Sequence, residues 1–435
     1  MHVSWPQQAQ DWTKLKILFV TNEPLTERRS GPAIRCLELA RVVAQRHDVI
    51  VASLQASDIK DPGIRLLDDA LRKRSELLGA TRSSDVVVTQ GMVLARLPAV
   101  ARLAKHLVID LYDPYLLEYL AHAHPRHPQW GYLRQLYRLN QQMSVGDFFL
   151  CANERQWDYW LGRLCALGRL NTEEYKRDAS FRSLLAVVPF GLPAEPPKHT
   201  KNVLKGVLPG IGKEDFVLLW AGGIWQWLDP LTVIRAVAEA SSQDPRVKLV
   251  FMGGQDPNPN NRAMSMAQGA RDLARELGLL NRSVFFLKNW IPYDGRQNYL
   301  LEADVGVSAH PATVESRFAF RTRVLDYIWA GLPMILSAGD DFGDLVERNG
   351  LGAAIAPGDV SGWARAILYP AKGGIRELAR SKLDDLKTSF VWGKAVEPLL
   401  AYCDRPYKTR KGSLLRRKLT PLLSSGYELA RGVRG

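Results

Sequence analysis

The chain has 435 residues, enough for two or three domains, and its composition of 46% hydrophobic and 24% charged residues is that of an ordinary globular protein. This excludes disordered, collagenous and coiled-coil classes, and no apolar run approaches the ~18 residues that span a bilayer. The net charge of +13 is uneven: residues 405–435 carry nine Lys or Arg against Glu428 alone, so +8 of it sits in a basic tail.

In chain order, Lys16-Ile-Leu-Phe-Val-Thr-Asn reads as a strand. The pair Gly31-Pro32 follows, then a helical pattern at Ile34, Leu37, Leu39, Val42 and Val43. Asp48-Val-Ile-Val-Ala-Ser, Asp85-Val-Val-Val-Thr and His106-Leu-Val-Ile-Asp are the next strands, with helical stretches between them. Phe148-Phe-Leu-Cys-Ala and Leu184-Leu-Ala-Val-Val are further strand candidates. Short, continuously apolar strands alternating with helices predict a parallel sheet covered on both faces. Residues 193–209, punctuated by Pro, Lys and Gly, read as a linker. The pattern then restarts with Phe216-Val-Leu-Leu-Trp-Ala-Gly-Gly and a helix near Leu231–Ala240. Lys248-Leu-Val-Phe-Met-Gly-Gly, Val284-Phe-Phe-Leu, Asp304-Val-Gly-Val-Ser and Pro333-Met-Ile-Leu-Ser continue it. The expected class is α/β, with two doubly wound halves. Ligands of such sheets bind at the carboxyl ends of the strands, here in a crevice between the halves.

Neither opening turn is a GxGxxG or a GxxxxGK[ST], so a nicotinamide cofactor and P-loop hydrolysis lose their usual warrant. Cys36, Cys151, Cys165 and Cys403 show no metal spacing; three of the four lie in apolar helical or strand-like contexts, which reads as buried, inert thiols of a reducing compartment. The opening residues contain no secretory hydrophobic segment. His122, His124 and His127 cluster among Pro and Arg without a metal-like pattern, so no metal is predicted. The richest segment is residues 310–333. Arg321 and Arg323 stand at a helix N-terminus, where cations oppose the macrodipole unless an anion binds there too. Asp326 follows Arg323 by three residues, and is either its surface partner or an acceptor for ribose hydroxyls. Trp225 and Trp227 read equally as an aromatic wall for a sugar or base and as interface packing. Asp110 and Asp113 end a strand facing the predicted crevice, although Asp113 before Pro114 also fits a helix N-cap.

Thr322-Arg-Val-Leu-Asp-Tyr-Ile-Trp-Ala-Gly-Leu-Pro resembles the donor signature of the retaining GT-B glycosyltransferases of family four (glycosyltransferase group 1). Val188-Pro-Phe-Gly-Leu and Val284-Phe-Phe-Leu-Lys-Asn-Trp-Ile-Pro resemble two further motifs of that family, in the same order. The resemblance covers about residues 16–404. It implies a GT-B fold of two Rossmann-like domains around a cleft, with an acceptor domain (1–195), a donor domain (196–386) and a helix returning to the first domain (387–404). It implies sugar transfer, with retention, from a nucleoside-diphosphate sugar to a saccharide or lipid-linked acceptor in bacterial polysaccharide, glycolipid or glycoconjugate synthesis. No metal or other cofactor and no nucleic-acid partner are expected. Arg323, Asp110 and Glu315 become the candidate catalytic residues. Gly31, Gly222, Gly223, Trp225, Lys288, Arg321, Thr322, Arg323 and Asp326 become donor-binding candidates. Ser30, Arg35 and Asp113 become acceptor-binding candidates.

Two departures stand out. The family's first Glu, eight residues before Asp326, is Phe318 here, and Glu315 is the nearby replacement. The family's Arg and Lys after the first strand of the second half are missing from Ala221-Gly-Gly-Ile-Trp-Gln-Trp. They keep a second reading open, a non-catalytic nucleotide-sugar-binding partner subunit. In the tail, Leu414, Leu415, Leu419, Leu422 and Leu423 interleave with Arg416, Arg417 and Lys418, which suits either an interfacial helix on an anionic membrane or a solvated terminus. The expected location is cytoplasmic, peripheral on the inner face of the plasma membrane.

Overall fold

The computed structural model describes residues 13–122, 128–254, 258, 265–371 and 382–411. Two parallel sheets form the core. The first has the order β3-β2-β1-β4-β5-β6-β7. Its strands are β1 (Lys16–Thr21), β2 (Asp48–Ser53), β3 (Arg65–Leu67), β4 (Val86–Gln90), β5 (His106–Asp110), β6 (Phe148–Cys151) and β7 (Leu185–Val187). The second has the order β10-β9-β8-β11-β12-β13. Its strands are β8 (Phe216–Trp220), β9 (Val247–Phe251), β10 (Val284–Phe286), β11 (Val305–Ser308), β12 (Met334–Ser337) and β13 (Gly352–Ile355). Every strand pair is parallel. The central strands are apolar along their whole length because helices cover both faces, and β4 (Val-Val-Val-Thr-Gln) is buried at every residue. Two short edge strands, β3 and β13, escape the sequence reading. β3 is only Arg-Leu-Leu, and β13 (Gly-Ala-Ala-Ile) is built mostly of Gly and Ala, which are depleted in strands.

The loops that leave the carboxyl ends of β1, β5, β8, β9 and β11 converge between the two sheets. On one side the Glu154–Ala166 helix clamps the halves together. Gln156 Nε2 donates to Tyr112 O and Phe318 O, both at 3.0 Å, and Arg155 pairs with Asp341 (2.7 Å) and Asp344 (2.6 Å). On the other side Tyr293 N–H donates to Glu27 O (2.9 Å) and Trp290 Nε1 to Arg29 O (3.1 Å).

Two expectations about connections are corrected. The stretch read as a linker is fastened to the second half: the N–H groups of Val203, Leu204 and Lys205 donate to the Glu302 carboxylate at 2.7–3.1 Å. The first residues read as tail are fastened to the first half. Thr409 accepts from Arg169 (2.7 Å) and donates to Asp147 O (2.8 Å), and Lys411 pairs with Asp147. Residues 412–435, with the Leu and Arg pattern of the tail, lie outside the described residues, as do His124 and His127.

The chain crosses back at a bridge between Leu192 and Val391. A Cβ on Gly191 would stand 2.6 Å from the Trp392 indole, so only glycine admits this crossing. Beyond it Tyr402 stacks on Phe148 (4.5 Å between ring centroids), and Asp404 pairs with Arg46 and His47, both at 3.0 Å. Cys36, Cys151 and Cys403 are buried, and burial raises their thiol pKa values. Cys165 is exposed, so three of the four cysteines are buried. Among the described residues no helix is long and apolar enough to cross a membrane.

Candidate functional site

Two connected cavities lie between the halves. The larger, about 420 Å³, and the smaller, about 130 Å³, share Gly31, Phe190, Trp225, Thr322 and Arg323.

The smaller cavity is built on glycine turns. Gly222 has φ +97°, a left-handed conformation that glycine adopts without cost. A Cβ on Gly253 would lie 2.2 Å from Gly222 O, so the β8 and β9 turns touch backbone to backbone. Above these turns stand two buried arginines, one from each half. Arg323, in the first turn of the Thr322–Ala330 helix, is 8% exposed. Its Nη2 donates to Gly223 O at 2.8 Å, its guanidinium lies over the Trp220 ring at 4.8 Å, and Nη1 has no hydrogen-bond partner among the described residues. Burial pulls its pKa down to about 10. Arg29, in the loop after β1, is 5% exposed and lies over the Tyr293 ring at 4.8 Å. Its Nε and Nη1 likewise have no partner among the described residues, and burial lowers its pKa. A buried guanidinium with unfilled donors is costly, and an anion relieves it. Asp326 faces the same cavity with one oxygen 3.0 Å from Arg296 Nε. Arg296 is held in turn by Tyr293 O (2.7 Å) and by the Tyr293 and Trp329 rings.

The larger cavity is acidic and aromatic. Trp225 and Trp227 stack at 5.9 Å along one side, and Tyr112, Tyr115 and Tyr119 line the other. Glu23 accepts from Ser30 Oγ at 3.1 Å and from Asn258 Nδ2 at 3.0 Å, linking the halves. Asp113 and Glu118 hydrogen-bond to one another through their carboxyl groups. Burial is the main cause of the rise in both: it pushes Asp113 up to about 6, and with the neighbouring Asp113 charge it holds Glu118 well above the carboxylate range. At neutral pH the pair therefore holds a proton.

The structure brings Ser30, Gly31, Asp113, Gly222, Gly223, Trp225, Arg321, Thr322, Arg323 and Asp326 to the walls of these cavities. Four candidates fall elsewhere. Asp110 and Arg35 form a fully buried bidentate pair (2.7 and 2.9 Å) through Arg35 Nε and Nη2 and line neither cavity, while Arg35 Nη1 has no partner among the described residues. Arg35 lies beneath the Phe190 ring (4.9 Å), which does face the cavities. Glu315 is bidentate to Arg321 (2.8 and 3.1 Å) and lines neither cavity; it sits as the counter-ion of Arg321. Lys288 is exposed and lines neither; its backbone carbonyl packs against Gly254. Arg29, Glu23, Glu118, Tyr293 and Arg296 were not singled out from the sequence. For Glu118 the available signal was its place one helical turn beyond Pro114.

Residues 215–371 match the family described as glycosyl transferases group 1. Sequence comparison with curated proteins finds no match. Among solved structures, HepE of Anabaena, in complex with UDP and glucose, superposes with a TM-score of 0.60 at 15% identity, covering 89% of this chain and 98% of that one. WaaG, a glycosyltransferase involved in lipopolysaccharide biosynthesis, gives 0.60 at 14% identity over 89% and 99%. The trehalose-6-phosphate synthase OtsA gives 0.63 at 12% identity over 90% and 99%. Two facing Rossmann-like halves in this arrangement are the GT-B fold. The chain therefore has the GT-B fold, and its second half carries the match to glycosyltransferase group 1.

Proposed function

We propose that the chain transfers a sugar from a nucleoside-diphosphate sugar to an acceptor hydroxyl, with retention of configuration. The observation that supports this most is the pair Arg29 and Arg323, two buried guanidinium groups with unfilled donors on one small cavity. In this reading the diphosphate lies between them against the Gly222–Gly223 turn, the ribose meets Asp326, and the sugar points into the larger cavity. As the bond from the sugar's anomeric carbon to the phosphate oxygen breaks, its electron pair passes to the diphosphate. The acceptor oxygen bonds to that carbon, and its proton goes to the departing phosphate oxygen. Cations fixed in a dry site stabilise the charge developing on the leaving group. The two arginines also answer the missing cations of the β8 turn. The UDP and glucose in the HepE structure fit a donor of this kind.

The acceptor in this reading is a saccharide or a lipid-linked glycan of a bacterial polysaccharide or glycoconjugate, approached from Ser30 and Asp113. The basic, leucine-rich tail holds the enzyme at the inner face of the plasma membrane. A thermal-shift screen against UDP-, GDP-, ADP- and TDP-sugars tests the donor: one nucleotide series is expected to raise the melting temperature. Release of that nucleoside diphosphate in the presence of acceptors tests turnover. No shift with any series refutes the reading, and a shift without turnover turns it to a non-catalytic partner subunit.

A further inference from the structure

The helices Tyr115–His122 and Pro128–Val145 carry two different surfaces. Their inner side chains, among them Glu118, Tyr119, Gln135 and Leu139, line the larger cavity. Their outer side chains are apolar and uncovered: Leu120 is 52% exposed, Trp130 73%, and Leu133 and Tyr137 40% each. The spacing of Trp130, Leu133 and Tyr137 places them on one helix stripe. The other exposed large hydrophobic residues described are scattered singly along the chain. Between these apolar positions stand Arg134 and Arg138, and the Pro128–Val145 helix contains no Asp or Glu. Its carboxyl end adjoins Gly146 and Asp147, where Lys411 is fastened: Lys411 Nζ donates to Gly146 O at 2.8 Å.

We propose that the face formed by Leu120, Trp130, Leu133 and Tyr137 docks on an anionic lipid bilayer. Trp and Tyr rings favour the headgroup level, apolar side chains enter the acyl boundary, and Arg134 and Arg138 meet lipid phosphate. Charge complementarity selects this occupant, since a helix that carries Arg134 and Arg138, no Asp or Glu and interleaved aromatics fits an anionic surface. The bilayer then lies against the outside of the two helices that line the cavity, which brings a lipid-carried acceptor to the enzyme's own wall. The docking face is separate from the tail, and it does not depend on the donor.

The test uses the full chain and co-sedimentation with vesicles of phosphatidylcholine alone, or mixed in equal parts with phosphatidylglycerol. The wild type is expected to sediment with the mixed vesicles. The triple variant Trp130→Ser, Leu133→Ser, Tyr137→Ser is expected to bind them about tenfold more weakly or less. Arg134→Glu with Arg138→Glu is expected to abolish the preference for anionic lipid. Melting temperature and the nucleotide-sugar shift serve as controls that these variants are folded. Three outcomes overturn the proposal: a wild type that ignores both vesicles, a folded triple variant that binds as the wild type does, or a wild-type dimer that becomes a monomer on the triple substitution. The last would assign the face to a second copy of the chain.

Discussion

Replacing Arg323 by Met removes a charge while keeping an unbranched stem over Trp220. In the free protein Arg323 is buried, with Nη1 unfilled and its pKa drawn down to about 10. The variant loses the hydrogen bond to Gly223 O but also the cost of the buried charge, so the free protein is expected to melt no lower than the wild type. Binding of the donor behaves differently. A charge-assisted hydrogen bond is worth about 1.5–3 kcal/mol. At about 1.4 kcal/mol per decade the loss weakens donor affinity about 10- to 150-fold. At a nucleotide-sugar concentration of about 100 Kd the wild type gains about 2.7 kcal/mol of stability, and a hundredfold weaker variant retains only about 0.4 kcal/mol. The assay is a thermal melt of both proteins with and without the nucleotide sugar that stabilises the wild type. A folded variant with the full ligand shift refutes the phosphate role. A large fall in the free protein's melting temperature with unchanged affinity shows instead that Arg323 is a strut for the Gly223 turn.

Three further outcomes follow from the same geometry. Gly253→Ala drives a Cβ against Gly222 O, so it is expected to cost about 1–3 kcal/mol in denaturant unfolding and to abolish donor binding in calorimetry; wild-type binding contradicts the backbone contact. Asp110→Asn breaks a buried bidentate pair and is expected to lower stability by about 3–5 kcal/mol, with kcat per folded molecule unchanged; a loss of kcat at full stability would return Asp110 to the chemistry. Asp113 is raised on folding from 3.8 to about 6, so its stabilising protonation is complete below about pH 4 and lost as pH rises through about 6. Asp113→Asn is therefore expected to flatten the decline of melting temperature across that range, and parallel curves for variant and wild type would contradict the buried carboxyl pair.

The regular architecture was legible because the period of the apolar residues carries it. The β1, β4 and β8 runs are continuously apolar, and a strand of that kind has few places to go except the middle of a parallel sheet. The glycine turns after β8 and β9 were also visible, since Gly222-Gly223 and Gly253-Gly254 each follow such a run. Pairing was not legible. Arg35 and Asp110 each looked like free polar groups near a crevice, and only the fold joins them across 75 positions. Glu315 and Arg321 are six residues apart, yet the loop that turns one onto the other has no local signature. Arg29 shows the converse. Its importance lies in the partner it lacks, and its burial depends on Tyr293, which arrives 264 residues later. A sequence displays which charges exist; it does not display which are left over.

The crossing at Leu192 and Val391 has a consequence for the order in which the protein is made. The first half is not one continuous stretch of chain: Leu399, Leu400, Tyr402 and Cys403 are part of its core, and Thr409 and Lys411 complete its hydrogen bonds. A chain emerging from the ribosome offers residues 216–355 as an uninterrupted sheet, while the half begun first still lacks its last helix. The amino-terminal half is therefore the last to be completed, and Phe148 waits for Tyr402 until more than 400 residues have been synthesised. Its unfinished face is the surface a nascent-chain chaperone would meet.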